Sequence, residues 1–263
     1  MKKLNYSDNQ IKNLLDGIYK GTIDIYSLPE DLYFAIADYL KSGLYAGFGG
    51  GLADFDGTKL ELLNELRENI YMFSAAKTYH EVESIKELMF DENGDLISNR
   101  DFNQFGAKEF EKWDENWGAT EYNTAIAQGE MASKWYEIQR TKDVLPLLVY
   151  QTIGEGLGCD ICSPLDGLTA PVDDPIWDSV YPTNHFNCEC IVIQEDRDNA
   201  TETNEEEKTN IVDGVNENMN PMFQMNCGKD GYVFSPEHPY FTVEPKDIEF
   251  AKNNFGLPIP EED

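Results

Sequence analysis

The chemically most informative segment of the chain runs from residue 159 to residue 193 and reads CDICSPLDGLTAPVDDPIWDSVYPTNHFNCECIVI. It holds four of the five cysteines and one of the three histidines of a 263-residue chain. So dense a cluster of sulfur and imidazole groups points to metal binding more than to chance. The glycines and prolines between the cysteines indicate loops rather than long helices.

The thiols and the imidazole of this stretch are candidate metal ligands. They are Cys159, Cys162, His185, Cys188 and Cys190. A C-x-x-C pair turns two thiolates toward one point, as in tetrahedral zinc sites. If residues 188–193 form a strand, the last two cysteines share a face, because side chains alternate along a strand. We therefore predict a structural zinc site, with the histidine as a fifth ligand or a supporting residue. The alternative is that the thiols are small buried side chains in a core.

The order of these residues argues against catalytic or redox chemistry. A zinc deaminase places a histidine, any residue and a glutamate ahead of its C-x-x-C pair. Here the pair comes first, and Asn187 stands where glutamate is required. A redox C-x-x-C opens a helix, whereas Cys159 follows a glycine-rich loop. Of the other histidines, His80 suits a solvated or capping position on a helix, and His238, beside a proline, suits a turn. We predict no catalytic residue and no enzyme.

The segments flanking the cysteines have the composition of strands. Residues 144–153 and 190–193 are rich in β-branched and aromatic side chains. The intervening residues, 154–182, contain enough glycine and proline to be looped.

The first 144 residues have the patterns of helices. Ser7 and Gln10 form a capping box before an apolar stripe, and Pro29 suits the first turn of a second helix. Apolar residues at helical spacing continue from Thr58, in one long helix or two in series, and again from about Thr120. The predicted fold class is α+β, with a helical N-terminal region followed by a small, loop-rich, zinc-stapled α+β domain.

The remaining residues predict a linker and a short final element. Residues 196–220 are rich in Glu, Asn and Thr, which favours a solvated, mobile acidic linker. Short strands are expected around Phe223 and residues 232–234, with a last helix over about residues 245–254. The predicted divisions are a helical region 1–144, a Cys/His segment 145–195, the linker 196–220 and a C-terminal α+β element 221–263.

The charge of the chain limits its partners. Fifty acidic and 20 basic residues give a net charge of −30, which repels phosphate, so we expect no direct nucleic-acid binding and no membrane binding. The longest apolar runs, such as residues 147–150, are too short to span a bilayer. The N-terminus does not lead into an apolar signal core. These features predict a protein made in a reducing cytoplasm, where cysteines stay thiols or bind metal.

Several motifs, taken together, resemble those of a known family. They are the C-x-x-C pair at 159–162 followed by LDG at 165–167, then DDPIW at 173–177 and HFNCEC at 185–190. TEYNTA at 120–125 precedes them, and NCGK at 226–229 and HPY at 238–240 follow. In these motifs the chain resembles the phage Mu protein F-like minor head, or head morphogenesis, proteins. The similarity touches most of the chain, but only the Cys/His segment is specific. One position departs from the pattern, because Glu189 stands where the family has Arg between the last two cysteines.

The resemblance implies a structural minor head protein of a tailed phage or prophage. Such a protein is made in the bacterial host and becomes a virion component at the portal vertex, with a role in head assembly and DNA packaging or delivery. The implied partners are the portal protein, and a scaffold or major capsid protein. Two alternatives stay open. One is a toxin, effector or other enzyme carrying a Mu F-like domain, and the other is a cellular zinc-ribbon adaptor.

The N-terminal helices are the expected contact surface. The aromatic-rich helices between Leu28 and Ile138 carry more apolar surface than their own packing requires, and such a surplus is typical of an interaction face. The alternative is that these aromatic side chains complete the core.

Overall fold

The computed structural model describes residues 3–154 and 159–261, so residues 155–158 of the predicted loop lie outside the described part of the chain. The α-helices are α1 (Asp8–Lys20), α2 (Glu30–Phe48), α3 (Gly57–Glu87), α4 (Asn99–Glu111), α5 (Gly118–Thr141), α6 (Glu205–Asn218), α7 (Cys227–Asp230) and α8 (Ile248–Lys252). The strands are β1 (Leu147–Gln151), β2 (Thr169–Pro171) and β3 (Ile191–Glu195). The predicted α+β class is confirmed. Within the described residues, no α-helix has both the length and the apolar composition to span a bilayer.

The chain folds into two compact units, each assembled from separated stretches of sequence. Unit 1 contains Met1–Ser42, Ile70–Tyr122 and His238–Asp263, and unit 2 contains Gly43–Asn69 and Asn123–Glu237. The divisions predicted from the sequence were consecutive instead. Local sequence patterns do not reveal this arrangement, because it depends on contacts between distant residues.

Local signals place the first helices correctly. The backbone N–H of Gln10 donates to the Ser7 hydroxyl at 3.4 Å, and the Ser7 N–H donates to the Gln10 side-chain oxygen at 3.0 Å. Helix α1 ends at Gly21, whose φ of 71° lies in the left-handed region that glycine adopts readily. The apolar stripe that begins near Thr58 forms the single long helix α3. Helix α4 was not predicted.

The predicted mobile acidic linker is wrong over residues 205–218, which form α6. The side chain of Asn204 caps the helix by accepting a hydrogen bond from the Glu207 N–H at 3.0 Å. The acidic side chains of the first turn face the positive end of the helix dipole, which favours them there. Val212 and Val215 are buried. The acidic residues in the first turn therefore stabilise α6, although acidic composition led to the prediction of a mobile linker.

The strands predicted around Phe223 and residues 232–234 are also wrong. Pro221–Phe223 is a 3₁₀ turn, and residues 232–234 are irregular. The Asn69 side chain takes the place of a strand partner, because its oxygen accepts from the N–H groups of Val233 and Phe234 at 2.9 and 2.8 Å. Its amide donates to the Phe234 carbonyl at 2.9 Å. The predicted last helix is present as the 3₁₀ turn Pro245–Asp247 followed by α8.

Unit 1 has a tyrosine-rich core that holds the C-terminal segment. The hydroxyl groups of Tyr26 and Tyr79 each donate to Asp247 at 2.7 Å, and that of Tyr33 donates to the Pro258 carbonyl at 2.7 Å. The rings of Tyr33 and Tyr79 are buried without leaving an unsatisfied hydroxyl, because these phenol groups have partners, whereas the Tyr26 ring remains exposed.

Unit 1 also buries a group of four charged side chains. They are Lys77 and Glu81 of α3, Asp114 of the π-helix Lys112–Trp117, and Glu121 of α5. The Lys77 ammonium lies 2.5 Å from a Glu121 oxygen and donates to the Trp113 carbonyl at 3.0 Å. Burial raises the pKa of Asp114 to about 7, against the opposing charge of Lys77. Burial and the nearby Asp114 raise the pKa of Glu81 well above its usual range.

Unit 2 is built around a three-stranded antiparallel sheet with β1 in the centre. Leu148 is opposite Ala170 of β2, and Tyr150 is opposite Val192 of β3. The buried Trp177 donates from its indole N–H to the Pro171 carbonyl at 2.9 Å, which closes the connection between β2 and β3.

Two glycines allow the end of α2 to lie close to α5 in unit 2. A Cβ atom on Gly47 would lie 1.9 Å from the Ile126 carbonyl oxygen, and one on Gly129 would lie 2.6 Å from the Leu44 carbonyl oxygen. Any side chain at either position would therefore push two helix backbones apart.

We expect Gly47→Ala to destabilise the protein by about 1–3 kcal/mol, or more, because its methyl group meets backbone that cannot move aside. The matched control is Gly214→Ala in α6, where an added Cβ has no neighbour within 4 Å. The control should gain about 0.5–1 kcal/mol from helix propensity. Urea unfolding of both variants measures the difference. Equal midpoints would contradict the close helix approach.

We expect Asp114→Asn to weaken the pH dependence of stability. The pKa of Asp114 rises from an ordinary 3.8 to about 7, so the folded protein keeps a proton that the unfolded chain releases. The stabilisation that comes from protonated Asp114 is fully present below about pH 4 and is lost as the pH rises through 7. Its size is about 1.4 kcal/mol of unfolding free energy for each unit by which the pKa is shifted. Denaturant unfolding at several pH values, with the exposed Glu111→Gln as control, tests this. An unchanged slope in Asp114→Asn would refute it.

Candidate metal centre

The first pair of candidate ligands lies in the turn after β1. Cys159 and Cys162 precede the 3₁₀ turn Ser163–Leu165, and the Cys162 N–H points to the Cys159 sulfur at 3.5 Å. Asp166 fixes this loop, because one of its oxygens accepts from both the N–H and the hydroxyl of Thr152 at 2.9 and 2.8 Å. The pair therefore forms the knuckle predicted from its spacing.

The second group lies in a turn before β3, not in the strand. The Cys188 N–H donates to the His185 carbonyl at 3.3 Å, and Asn187 has a φ of 56°, a left-handed conformation that asparagine tolerates. Since β3 begins at Ile191, strand alternation does not explain how Cys188 and Cys190 come together. The predicted strand over residues 188–193 is therefore wrong at its start, but the turn still brings the two thiols together.

The five predicted ligands form two groups that share one residue. Cys159, Cys162 and His185 have ligand atoms within 4.8 Å of one another, and so do Cys162, Cys188 and Cys190. The sulfur atoms of Cys162 and Cys188 lie 3.8 Å apart, and no disulfide joins them. The three cysteines of the second group are buried. Cys162 is thus the centre of the cluster.

The hydrogen bonding of the His185 imidazole leaves one ring nitrogen available as a metal ligand. Its Nδ1 lies 2.8 Å from the Phe186 carbonyl oxygen, which can only accept a hydrogen bond, so Nδ1 carries the proton. Nε2 is then left with a lone pair, and it is buried without a hydrogen-bond partner among the described residues. Metal-binding histidines show this pattern, in which the second nitrogen donates to a carbonyl or carboxylate.

The thiols influence one another's ionisation. Hydrogen bonds from the Cys162 and Cys190 thiols hold the pKa of Cys188 down to about 3, and the same contacts raise the pKa of Cys162. The pKa of Cys159 is lowered against its burial by the N–H groups of Cys162 and Ile161 and by His185. The cluster therefore favours negative charge on some of its sulfur atoms, which is the form that binds metal.

Two supporting residues were not predicted. The Tyr150 hydroxyl donates to the Cys162 sulfur at 3.4 Å, and the Asn184 amide donates to the Tyr150 oxygen at 3.1 Å. Both residues are buried. Alternation along β1 places Tyr150 on the same face as the buried Leu148, and this was the available signal.

The donor types, thiols and one imidazole, are those that zinc prefers. The structure brings them together as two groups of three that share Cys162, so a closed site with four ligands would take its fourth ligand from the other group. The other histidines belong to unit 1, where the His80 Nε2 lies 3.0 Å from the Tyr240 carbonyl oxygen and His238 is buried against Phe73. A cavity of about 570 Å³ beside Cys188 and Cys190 gives access to the cluster.

The comparison with known protein families bears directly on this cluster. Residues 110–193 match the family described as Phage Mu protein F like protein. These residues of the chain are Mu protein F-like. The match covers about a third of the chain, from the end of α4 through β3, and contains all five candidate ligands. We refer to residues 110–193 as the Mu F-like region.

The Mu F-like region relates the chain to phage head proteins. No curated protein and no solved structure is significantly similar to the chain. The family relationship therefore rests on the Mu F-like region.

We predict that the purified protein contains about one zinc ion per chain and that Cys162→Ser removes most of it. Cys162 belongs to both ligand groups, so its loss leaves neither group intact. Structural zinc contributes on the order of 10 kcal/mol to folding in small domains, so the variant should also unfold at a lower temperature. Elemental analysis of the intact protein measures the metal directly.

Cys227→Ser is the matched control, because Cys227 is a buried cysteine of the same unit that lies outside both ligand groups. It should keep its metal even if its stability falls. His185→Ala identifies the ligand set, since metal is retained if four thiolates bind it and is lost if the imidazole is required. A wild-type protein free of zinc and of similar metals would disprove the site.

Proposed function

We propose that this chain is a minor head protein of a tailed phage or prophage. In this role it is a virion component that acts by protein–protein contact at the portal vertex, in head assembly and in DNA packaging or delivery. The observation that carries the proposal is the match of residues 110–193 to the Phage Mu protein F like family. The cluster of candidate ligands supports it, because it lies within the matched residues and its thiols are typical ligands of structural zinc.

The proposed zinc fastens two turns that are far apart in sequence. One turn follows β1 and the other precedes β3, and these strands are paired in the sheet. A bound ion adds a strong cross-link between these two turns of unit 2, which would help that unit to present a fixed surface to a partner.

The structure narrows the surface expected to contact that partner. Most apolar side chains of the N-terminal helices, including Leu63, Leu66 and Phe73, are fully buried, so they complete the core. Several others remain exposed, namely Met72, Phe90, Leu96, Phe105 and Trp117. Phe90 and Leu96 are the most exposed of these, at 54% and 57%.

These two side chains lie on a short hairpin that follows α3. Phe90 and Leu96 form an antiparallel bridge, and the Ile97 N–H donates to the Met89 carbonyl at 2.9 Å. The tip of the hairpin, residues 91–95, carries three acidic residues. An apolar pair beside acidic groups suits a partner that presents an apolar pocket with a basic rim. We assign the portal contact to this hairpin.

The interleaved units determine how the assignment can be tested. Cutting the chain near residue 144 would divide both units, because each contains residues from either side of that position. A truncated piece that failed to bind would therefore report misfolding as readily as a lost surface. Substitutions at exposed positions avoid this problem.

We expect the full-length chain to be retained by its cognate portal protein on co-expression and affinity purification. Replacing both Phe90 and Leu96 with Ser should reduce retention by about tenfold or more, as for the loss of two central apolar contacts. Val144→Ser is the control, because Val144 is 75% exposed and belongs to unit 2. Retention of the double variant would overturn the hairpin assignment. Failure of the wild type to bind would remove the portal contact itself.

A further inference from the structure

Unit 1 contains a cavity that the proposed head function does not use. It has a volume of about 480 Å³ and lies among the N-terminal segment, α1, α2, α4 and the π-helix. Cavities of this size commonly hold small ligands. The residues that matter here are Tyr6, Asp8, Tyr39, Ala107, Phe110 and Asp114.

One buried carboxyl group lies in the wall of this cavity without a complete set of partners. Asp114 is only 9% exposed, and its Oδ2 atom has no hydrogen-bond partner among the described residues. Glu81 is fully buried and makes a side-chain hydrogen bond with Asp114, which requires a proton on one of the two carboxyl groups, and its oxygens have no other partner among the described residues. Unpaired buried carboxylates are costly, so the pair calls for a proton or a cation.

The nearby lysine does not meet this need. Lys77 already lies 2.5 Å from Glu121, and its ammonium also donates to the Trp113 carbonyl. Glu121 accepts a further hydrogen bond from the Tyr240 hydroxyl at 3.3 Å. The Lys77 ammonium is therefore already engaged by Glu121. Lys3 also lines the cavity, but from an exposed position.

The walls of the cavity favour an organic cation over a metal ion. The rings of Tyr6 and Phe110 stack with their centroids 5.6 Å apart, and Tyr39 stacks on Tyr122 at 4.6 Å. Aromatic rings attract ammonium groups and cover their alkyl stems. Among the described residues, the groups of three metal-ligating side chains with ligand atoms within 4.8 Å are the two cysteine-containing ones, and neither is here.

We propose that this cavity binds an alkylammonium group, with Asp114 as its counter-ion and the aromatic rings around its stem. The ammonium comes from a free amine or from a lysine side chain of a polypeptide, since both present the same chemistry. The site does not depend on the portal contact, and either proposal stands if the other fails.

The primary experiment is calorimetric titration of the full-length protein with n-butylamine near pH 8, with n-butanol as the uncharged probe. Butylamine binds and butanol does not. Asp114→Asn keeps the shape of the side chain and removes its charge, so we expect the affinity for butylamine to fall by at least about tenfold.

The matched control is Asp8→Asn, which removes one negative charge from an exposed position on the same cavity. We expect less than about a twofold change, because exposed ion pairs contribute little. A second variant, Ala107→Trp, fills the cavity from an exposed site on α4 without touching the carboxyl groups. It should abolish binding while leaving the circular dichroism spectrum unchanged, which keeps the test valid if Asp114→Asn does not fold.

Two further ligands identify the source of the ammonium group. A short capped peptide containing one lysine binds if the cavity accepts polypeptide, and its acetyl-lysine version does not. If only the free amine binds, the ligand is a small molecule. Absence of butylamine binding shows that the pair holds only a proton and overturns the proposal. Equal losses in Asp114→Asn and Asp8→Asn overturn it too, because they indicate general attraction to an acidic surface.

Discussion

The pairing of β1 with β3 is the constraint on which the candidate metal centre depends. Gln151 at the end of β1 is opposite Ile191 at the start of β3, so the chain leaving one strand lies beside the chain entering the other. The C-x-x-C knuckle and the later cysteines therefore meet at one edge of the sheet, although about 26 residues separate Cys162 from Cys188. Neither turn needs regular structure of its own, because the register of the sheet fixes where each begins.

Sequence patterns were reliable where structure depends on neighbouring residues. The capping box at Ser7 and the knuckle at Cys159 are local, and both are present. Patterns failed where a distant side chain decides the outcome. Residues 232–234 have strand composition, but Asn69, 164 residues away from Val233, takes their hydrogen bonds. The helix at 205–218 was not predicted, because its acidic residues were interpreted as typical of a solvated linker. They are the first turn of a helix that begins after the asparagine cap.

The same limit applies to charge. Fifty acidic residues predict a repulsive surface but do not say which carboxyl groups lie inside. The four-residue spacing of Lys77 and Glu81 places both on one face of α3, and this is the one local hint of the buried charges. No sequence pattern indicated that Asp114 is buried, because its position depends on the π-helix that joins α4 to α5. Net charge indicates how the surface interacts with other molecules, whereas the fold determines which carboxyl groups are buried, where an unpaired charge is unfavourable.

The interleaving of the two units sets the order in which their residues are made. The residues of unit 2 are all synthesised once Glu237 is added, whereas unit 1 also needs residues after that position. Unit 1 needs the hydrogen bonds that Asp247 and Pro258 make with its tyrosines, and these residues emerge later. Its early helices must therefore wait with an incomplete core during translation. A chaperone that shields this nascent surface would meet it before any assembly partner does.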